Sequence, residues 1–406
     1  MELNVANIKT HNGKLKFSSL IHLFAPLPRE DLAVITHYLQ NKSDGNRNSF
    51  TKNAKNLLPL DVFNFIKNKE VIWDIPFQPV PAPSFSFIDL FAGIGGMRLA
   101  FQKLNGHCVF SSEWDKQAQV TYCTNFGEVP FGDITKIDAD DVPKHQILVA
   151  GFPCQAFSIA GFKGGFDDIR GTLFFDVARI IKARRPDAFL LENVKGLVGH
   201  DKGKTLSVIL RTLREDLGYF VPEPQILNAK HYGVPQNRER IFILGFKNKA
   251  SAGRFIYPIP TKVRKTIADI KEREVVPVRY YLSTQYLATL KEHRRRHSEK
   301  GNGFGYEIIA DDAIANAIVV GGMGRERNLL IDNRLTDFTP TTNIKGIVNR
   351  EGVRKMTPRE WARLQGFPDR FKIPVSDAQA YKQFGNSVAV PAVAATAQAL
   401  LKALRI

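Results

Sequence analysis

The sequence predicts an α/β protein in which a mostly parallel sheet is covered by helices on both faces. Short β-prone runs alternate with amphipathic, helix-like stretches between residues 85 and 246. Such alternation is typical of parallel sheets that are buried on both faces. The chain has 406 residues, of which 44% are hydrophobic and 24% charged, so it can form a sizeable core and more than one domain. Ligands of such sheets gather at the carboxyl ends of the strands.

The elements follow from local patterns along the chain. The first 84 residues contain a helix-like stretch, a polar segment and a proline-rich connector at 76–83. From residue 85 the pattern predicts strands over 85–90, 109–112, 147–150, 188–191 and 241–246. It predicts helices over 29–40, 97–103, 173–183, 205–217, 358–365 and 391–404.

The change of pattern along the chain predicts four parts. Residues 1–84 form an N-terminal accessory extension and linker, and residues 85–250 form the domain with alternating strands and helices. Residues 251–350 lose the alternation and are rich in Gly and Arg, which indicates a smaller irregular domain. Residues 351–406 regain a helical pattern, and we expect them to pack back on the sheet of residues 85–250.

Charge and composition restrict the class of protein. A net charge of +17 favours a polyanionic partner such as nucleic acid, although charge alone fits a merely basic protein equally well. The cysteines form no Cys-x-x-Cys pair, and no His or Cys cluster has the spacing of a metal site, so neither a disulfide framework nor a metal is expected. No apolar run reaches the ~20 residues of a membrane span, and no signal-peptide core opens the chain. We therefore expect a cytoplasmic protein.

A glycine-rich turn follows the first predicted strand. The segment from Asp89 to Gly96 lets the backbone pass close beneath a ligand, although alone it equally fits a turn without one. Glu113 ends the next strand, where a carboxylate can hold ribose hydroxyls, and Trp114 can flank an adenine ring. Asp133 can accept a hydrogen bond from the adenine amino group. Together these groups fit an adenosine-containing cofactor.

A thiol also follows an apolar run, in the sequence Gly-Phe-Pro-Cys-Gln at 151–155. A free cysteine is usually a small buried hydrophobic residue, and Cys108 and Cys123 keep that interpretation. Cys154 differs because Pro153 fixes the backbone before it and a glycine-containing segment follows. We predict a mobile loop over 155–170 that can close over a substrate and bury a thiolate.

An acid and two guanidinium groups complete the chemistry. Glu192 ends the apolar run at 189–191, where burial would raise its pKa, as a proton donor near neutral pH requires. Arg238 and Arg240 would share one face of a strand and could hold a pyrimidine O2 or a phosphate. A solvated carboxylate and a solvated strand edge are the alternatives. Thiolate attack at carbon 6 with proton donation at N3 is what reaction at cytosine carbon 5 requires.

Taken together, these motifs resemble the DNA (cytosine-5) methyltransferase family, and in particular its bacterial restriction-modification and Dcm-like enzymes. The resemblance covers about residues 85–406 and rests on the segments 89–96, 151–158, 192–194, 236–240 and 381–390. It implies a Rossmann-like S-adenosylmethionine-dependent methyltransferase sheet, with 85–250 as the catalytic domain that binds the cofactor, 251–350 as the target recognition domain and 351–406 as a segment that returns to the catalytic domain. Residues 1–84 have no counterpart in the minimal members of the family, so their role stays open.

The resemblance also implies roles for individual residues. Cys154 would be the nucleophile, Glu192 would hydrogen-bond N3 and the exocyclic amine, Arg240 would contact O2, and Arg238 would support the site. The target cytosine would rotate out of the duplex to reach the thiol. S-adenosylmethionine would be bound by Phe91, Gly93, Ile94, Gly95, Glu113, Trp114, Asp133, Ile134, Pro153, Asn386 and Ser387. DNA would be contacted by Gln155, Ser158, Arg170, Arg325 and Arg327.

Duplex DNA is the partner that charge and resemblance favour together. Residues 254–300 hold twelve Lys or Arg against five Asp or Glu, which predicts a face that attracts phosphates. Arg325 and Arg327 could read guanine edges, with solvated surface arginines as the equal alternative. Two other functions stay open: a tRNA cytosine-5 methyltransferase, and a non-catalytic nucleic-acid-binding module of the same fold. We expect a monomer without metal, and the resemblance suggests a restriction endonuclease of the same specificity as a partner.

Overall fold

The centre of the molecule is a six-stranded sheet in the order β5-β4-β6-β7-β10-β8. The computed structural model describes residues 3, 8, 10–42, 48–153, 173–303, 305–321, 324–341, 344 and 346–406. Within them the strands are β1 (Thr10–His11), β2 (Lys14–Lys16), β3 (Val71–Ile72), β4 (Phe85–Leu90), β5 (Gly106–Ser112), β6 (Ile147–Ala150), β7 (Ala188–Val194), β8 (Gln225–Asn228), β9 (Gln236–Asn237), β10 (Glu239–Phe246), β11 (Ala315–Asn316), β12 (Leu329–Ile331) and β13 (Val353–Lys355).

The helices of the same residues are α1 (Phe17–Phe24), α2 (Arg29–Gln40), α3 (Thr51–Leu57), α4 (Leu60–Lys67), α5 (Gly96–Lys103), α6 (Lys116–Phe126), α7 (Leu173–Arg184), α8 (Lys204–Arg211), α9 (Lys249–Arg254), α10 (Thr284–Glu299), α11 (Pro358–Leu364), α12 (Asp377–Asn386) and α13 (Val390–Leu404). The predicted helix over 205–217 is α8 followed by a π-helical turn, Thr212–Asp216.

The α/β fold class is confirmed. Strands β5, β4, β6 and β7 are parallel, whereas β10 runs antiparallel to β7 and β8 runs antiparallel to β10. The sheet is therefore mixed at one end. β8 was not predicted, because its four residues are partly exposed and show no apolar alternation.

Helices cover both faces of the sheet, which explains why its strands are apolar throughout. In β6, Ile147 and Val149 pack in the cluster that contains α5 and α13. Their neighbours Leu148 and Ala150 pack in the cluster that contains α7 and α8. Because successive side chains of a strand point to opposite faces, a strand covered on both sides contains no polar alternation.

The N-terminal residues pack onto one of these faces. Strands β1, β2 and β3 form a small sheet of their own. Helices α1 to α4 contribute Leu20, Ile35 and Phe63 to the same buried cluster as Leu148 of the central sheet. The extension therefore shares a hydrophobic core with the sheet, although the division of the chain into domains stays a prediction.

Residues 251–350 contain one long helix, α10, and otherwise mainly irregular structure among the residues described there. Small apolar clusters hold this region together. Strand β11 pairs in parallel with β9, with Ala315 opposite Gln236. This pairing attaches the irregular region to the segment that leads into β10.

Among the described residues, one helical stretch, Asp377–Leu404, is long and apolar enough by composition to cross a membrane. The sequence predicts no such span. The stretch is divided into α12 and α13, and α13 has only 15 residues, against the ~20 that a span requires. Val393, Ala397 and Leu400 of α13 are fully buried in the core that includes α5. Its apolar composition is therefore explained by packing on the sheet.

Candidate active site

The glycine-rich turn lies between β4 and α5 at the carboxyl end of the sheet. Gly93 and Gly95 both adopt positive φ, at 55° and 83°. A Cβ added at Gly95 would overlap the ring of Phe126, whereas one at Gly93 would meet nothing within 4 Å. The turn is therefore packed tightly on its inner side and open at Gly93, where a ligand has room to approach.

Glu113 lies directly beside this turn. Its carboxylate accepts hydrogen bonds from the backbone N–H of Gly93, at 2.7 Å, and of Asp115, at 2.8 Å. Burial raises the pKa of Glu113, and these two hydrogen bonds oppose the increase. Trp114 is 76% exposed. A fixed carboxylate next to an exposed indole is the arrangement predicted for ribose and adenine.

The other cofactor candidates occupy different positions around the turn. Asp133 accepts from the backbone N–H of Thr135 at 3.0 Å and so caps the short turn that begins at Ile134, which is buried. Phe91 has a positive φ of 55°. Ile94 is buried and anchors the turn in the core, and Pro153 is exposed after β6.

The C-terminal segment returns to the glycine turn. A Cβ added at Gly96 would lie 2.8 Å from Ser387 Oγ and 2.9 Å from Val388 Cγ2, so this segment lies against the start of α5. Asn386, the last residue of α12, is exposed. Lys382 Nζ forms an ion pair with the Asp115 carboxylate at 2.6 Å. The structure thus places residues 386 and 387 near the glycine turn, more than 200 residues apart in sequence.

An acid and a guanidinium meet on neighbouring strands. Glu192 in β7 is 8% exposed, and its Oε1 lies 3.1 Å from Nε of Arg240, the second residue of β10. Burial raises the pKa of Glu192, while Arg240 and Arg238 oppose that increase. The raised pKa increases the fraction of carboxylic acid, the form that can donate a proton.

The segment leading to Cys154 lies beside this acid. A Cβ at Gly151 would be 3.7 Å from Oε2 of Glu192. Asn193 Nδ2 donates to the carbonyl of the buried Phe152 at 2.9 Å. The catalytic and DNA candidates Cys154, Gln155, Ser158 and Arg170 lie outside the described residues. Gly151, three residues before Cys154, therefore lies next to the acid.

Arg238 has a different role from Arg240. It is 2% exposed, and its guanidinium donates to the carbonyls of Ile318 at 2.8 Å, Gly385 at 3.1 Å and Ser387 at 2.6 Å. Burial and the neighbouring Arg240 lower its pKa to about 9. Arg238 therefore joins the irregular region to the C-terminal segment beside the glycine turn. This arrangement agrees with a supporting function.

Arg325 and Arg327, the predicted guanine readers, are both exposed. The guanidinium of Arg325 lies 5.4 Å from the ring centroid of Tyr381 in α12. A Cβ at Gly385 would be 2.8 Å from Val320 Cγ2, so the segment before Arg325 packs against the C-terminal segment. The candidate recognition residues and the candidate cofactor site are therefore close neighbours.

The family model for C-5 cytosine-specific DNA methylase matches residues 85–402. The chain belongs to this family. The Type II methyltransferase M.HpaII of Haemophilus parainfluenzae is 67% identical over 334 residues, which cover 81% of this chain and 93% of the relative. M.SsoII of Shigella sonnei is 48% identical, and the alignment covers 82% of this chain and 86% of the relative. The protein is therefore a DNA (cytosine-5) methyltransferase of the restriction-modification type.

Solved structures support the fold of this methyltransferase. The Dnmt2 methyltransferase of S. pombe matches with a TM-score of 0.60 over 79% of this chain and 99% of the other, at 20% sequence identity. A methyltransferase of Entamoeba histolytica matches with a TM-score of 0.61 at 17% identity. At these identities the likeness concerns the fold alone.

Several polar residues around the methyltransferase site were not found from the sequence. Gln119 donates to the Glu113 carbonyl, and Arg29 donates to Gln119. Glu128 is fully buried and pairs with Arg98 at 2.8 Å. None of these residues belongs to a short motif, because their partners are distant in sequence. Polarity alone predicts solvated side chains for them.

Of the two cysteines outside the motif, Cys108 is buried as expected, whereas Cys123 is only half-buried. Cys108 is 2% exposed, and burial raises the pKa of its thiol. Burial also raises the pKa of Cys123, to about 12. Since the thiolate is the reactive form, neither side chain is suited to nucleophilic attack.

Replacing Gly95 with alanine should damage both stability and cofactor binding. The alanine would have to adopt the positive φ of Gly95, and its Cβ would overlap the ring of Phe126. We therefore expect the free energy of unfolding to fall by ~1–3 kcal/mol. The matched control is Gly253→Ala in α9, where an added Cβ meets nothing within 4 Å. Urea unfolding of both variants tests this, and equal midpoints would contradict it.

Proposed function

We propose that this methyltransferase transfers a methyl group from S-adenosylmethionine to carbon 5 of a flipped-out cytosine in a specific duplex DNA site, through a covalent adduct with Cys154. The observation that carries the proposal is the buried Glu192–Arg240 pair at 3.1 Å. This pair lies beside Gly151, three residues before Cys154. A carboxylic acid, a guanidinium and the segment that precedes Cys154 thus lie together at the carboxyl end of one sheet.

The residues around the glycine turn fit the methyl donor. The open side of Gly93, the fixed carboxylate of Glu113 and the exposed indole of Trp114 are suited to an adenosine group. S-adenosylmethionine, when bound, supplies an electrophilic methyl group on a sulfonium. We propose that Asp133, Asn386 and Ser387 complete this site, together with Phe91, Ile94, Ile134 and Pro153.

The chain's own residues account for the remaining chemistry. The Cys154 thiolate adds to carbon 6, forming a C–S bond, while Glu192 donates a hydrogen bond or proton to N3, which takes up the electron pair displaced from the ring double bond. Arg240 holds O2, and carbon 5 becomes nucleophilic. After methylation, loss of the carbon 5 proton restores the ring double bond and expels the thiolate.

DNA recognition is assigned to residues 251–350. Twelve Lys or Arg against five Asp or Glu over 254–300 give sequence-independent attraction to phosphates. Arg325 and Arg327 are exposed and can reach base edges, and Gln155, Ser158 and Arg170 would contact DNA beside the nucleophile. We infer a monomer that acts in the cytoplasm and protects DNA from a cognate endonuclease.

Identity with M.HpaII sharpens the expected target. Because the 67% identity extends over 81% of this chain and 93% of the relative, we expect the two enzymes to modify the same site. Plasmid DNA from cells expressing this protein should resist the endonuclease of the M.HpaII system. DNA from cells expressing Glu192→Ala should be cut.

Bisulfite sequencing of the same plasmids identifies the modified cytosines. The proposal predicts resistance to conversion at one position of a single short sequence and nowhere else. Methyl label found in tRNA, with no resistant cytosine in DNA, would overturn it.

A further inference from the structure

Helix α2 of the N-terminal extension holds the strand and loop that carry the cofactor candidates. His37 Nε2 accepts a hydrogen bond from the backbone N–H of Ser111 in β5, at 3.1 Å. Thr36 Oγ1 accepts from the backbone N–H of Val129, at 2.9 Å. Gln40 Nε2 donates to the carbonyl of Phe126, at 2.6 Å. These contacts satisfy buried backbone groups of the family-matched region.

The backbone that α2 holds leads directly to the methyl-donor site. Phe131 N–H donates to the Ser111 carbonyl at 2.9 Å, and Glu113 N–H donates to the Phe131 carbonyl at 2.8 Å. The strand therefore continues into Glu113, and the loop continues toward Asp133. A displacement of α2 would move both.

Two successive side-chain hydrogen bonds connect Arg29 of α2 to Glu113. Arg29, the first residue of α2, donates from Nη1 to Gln119 Oε1 and to the Lys116 carbonyl, the latter at 3.2 Å. Gln119 is 4% exposed, and its Nε2 donates to the Glu113 carbonyl. Because an amide has an acceptor on one side and donors on the other, a guanidinium that holds Oε1 turns Nε2 toward Glu113. Arg29 thereby fixes the orientation of the Gln119 amide.

Opposite this connection, the same loop is held by the ion pair between Lys382 and Asp115, at 2.6 Å. The Glu113 carboxylate is held by Gly93 and Asp115, whereas its main chain is held by Gln119. Removing Arg29 leaves the hydrogen bonds from Gly93 and Asp115 to the Glu113 carboxylate in place. It frees the amide of Gln119 to rotate, so the main chain of Glu113 loses a hydrogen bond that fixes its position and, through it, the position of the side chain.

We propose that Arg29 is a positioning residue for the methyl donor and acts through Gln119 on Glu113. The inference rests on the proposed function, in which Glu113 binds the ribose of S-adenosylmethionine. Arg29 lies outside residues 85–402, the part that the family model matches. The N-terminal extension therefore contributes to cofactor affinity in addition to sharing the core.

The test compares Arg29→Met with wild type in the full-length protein. Calorimetric titration with S-adenosylmethionine should give a Kd about tenfold higher, the loss expected for a charge-assisted hydrogen bond. The KM for the methyl donor should rise with it, while kcat at saturating donor and the KM for DNA stay within about twofold. Arg29→Lys keeps the charge but lacks the planar fork, so it should recover only part of the affinity.

Two further variants separate positioning from stability. Phe63→Leu loosens the buried core of the extension without touching the connection, so it should lower the melting temperature and leave the donor Kd unchanged. Gln119→Leu combined with Arg29→Met should weaken binding no more than the stronger single change, because both act through one path.

The inference is overturned if Arg29→Met lowers the melting temperature but binds the donor as tightly as wild type. It is also overturned if Arg29→Met and Gln119→Leu have additive effects on the free energy of donor binding. Wild-type protein that binds no S-adenosylmethionine would instead refute the proposed function, and the inference with it. The two failures are therefore distinguished by the wild-type titration.

Discussion

Cys154→Ser is expected to lower kcat by about 10⁴-fold or more, since enzymes that lose their nucleophile retain only positioning and binding. A serine hydroxyl stays protonated near neutral pH and cannot replace a thiolate in attack at carbon 6. The fold should persist. The preceding segment is held through the backbone of Phe152, whose carbonyl accepts from Asn193 at 2.9 Å.

Methyl transfer from labelled S-adenosylmethionine to a cognate duplex measures this loss. Cys123→Ala is the matched control, because burial raises the pKa of that thiol to about 12 and keeps it unreactive. The control should retain activity within about twofold. A serine variant that methylates DNA at a near-native rate would show that Cys154 is not the nucleophile.

Glu192→Gln should give the second largest effect, a fall in kcat of about 10²–10³-fold, as for loss of a general acid. Glutamine has nearly the same shape and can still hydrogen-bond, but it cannot transfer a proton to N3. Arg240, at 3.1 Å in the wild type, also loses its ionic partner. Glu239→Gln is the control: Glu239 is half-buried, and its carboxylate pairs with Lys195 at 2.9 Å and does not contact Arg240.

The pH dependence follows from the raised pKa of Glu192. The protonated acid is the donor, so its fraction falls as the pH rises through the pKa in the folded enzyme. Single-turnover rates should therefore decline on the alkaline side of that pKa. Glu192→Gln should lose this alkaline decline. Equal rates and equal profiles for wild type and Glu192→Gln would exclude an acid role.

The sequence predicted the parts of the fold that depend on local pattern. Strands β4 and β6 have the predicted bounds, because continuous apolar runs between turn residues are sufficient to define strands covered on both faces. The four-residue strand β8 was missed, because its partly exposed residues show no periodicity. Its pairing with β10 is a tertiary effect that no local window contains.

The residues of the candidate site likewise fall into those that local sequence pattern predicts and those that only the fold brings together. Glu192 could be found because it directly follows an apolar run, and Glu113 because it directly follows a predicted strand, each at a carboxyl end where ligands gather. Arg29 and Gln119 could not, because they are 90 residues apart and each sits on a helix whose pattern predicts a solvated polar side chain. The different roles of Arg238 and Arg240 came from the family resemblance, but the partners of Arg238 could not be predicted, since only the fold places Ile318 and Ser387 near it.

The covalent adduct is tested most directly with a cognate duplex that carries 5-fluorocytosine at the target position. Fluorine cannot leave as the proton does, so thiol attack and methylation should trap a denaturation-resistant protein–DNA complex. The account predicts that this complex forms only with S-adenosylmethionine present and that peptide mapping places the bond at Cys154. An enzyme that methylates ordinary cytosine yet forms no adduct with this duplex would contradict it.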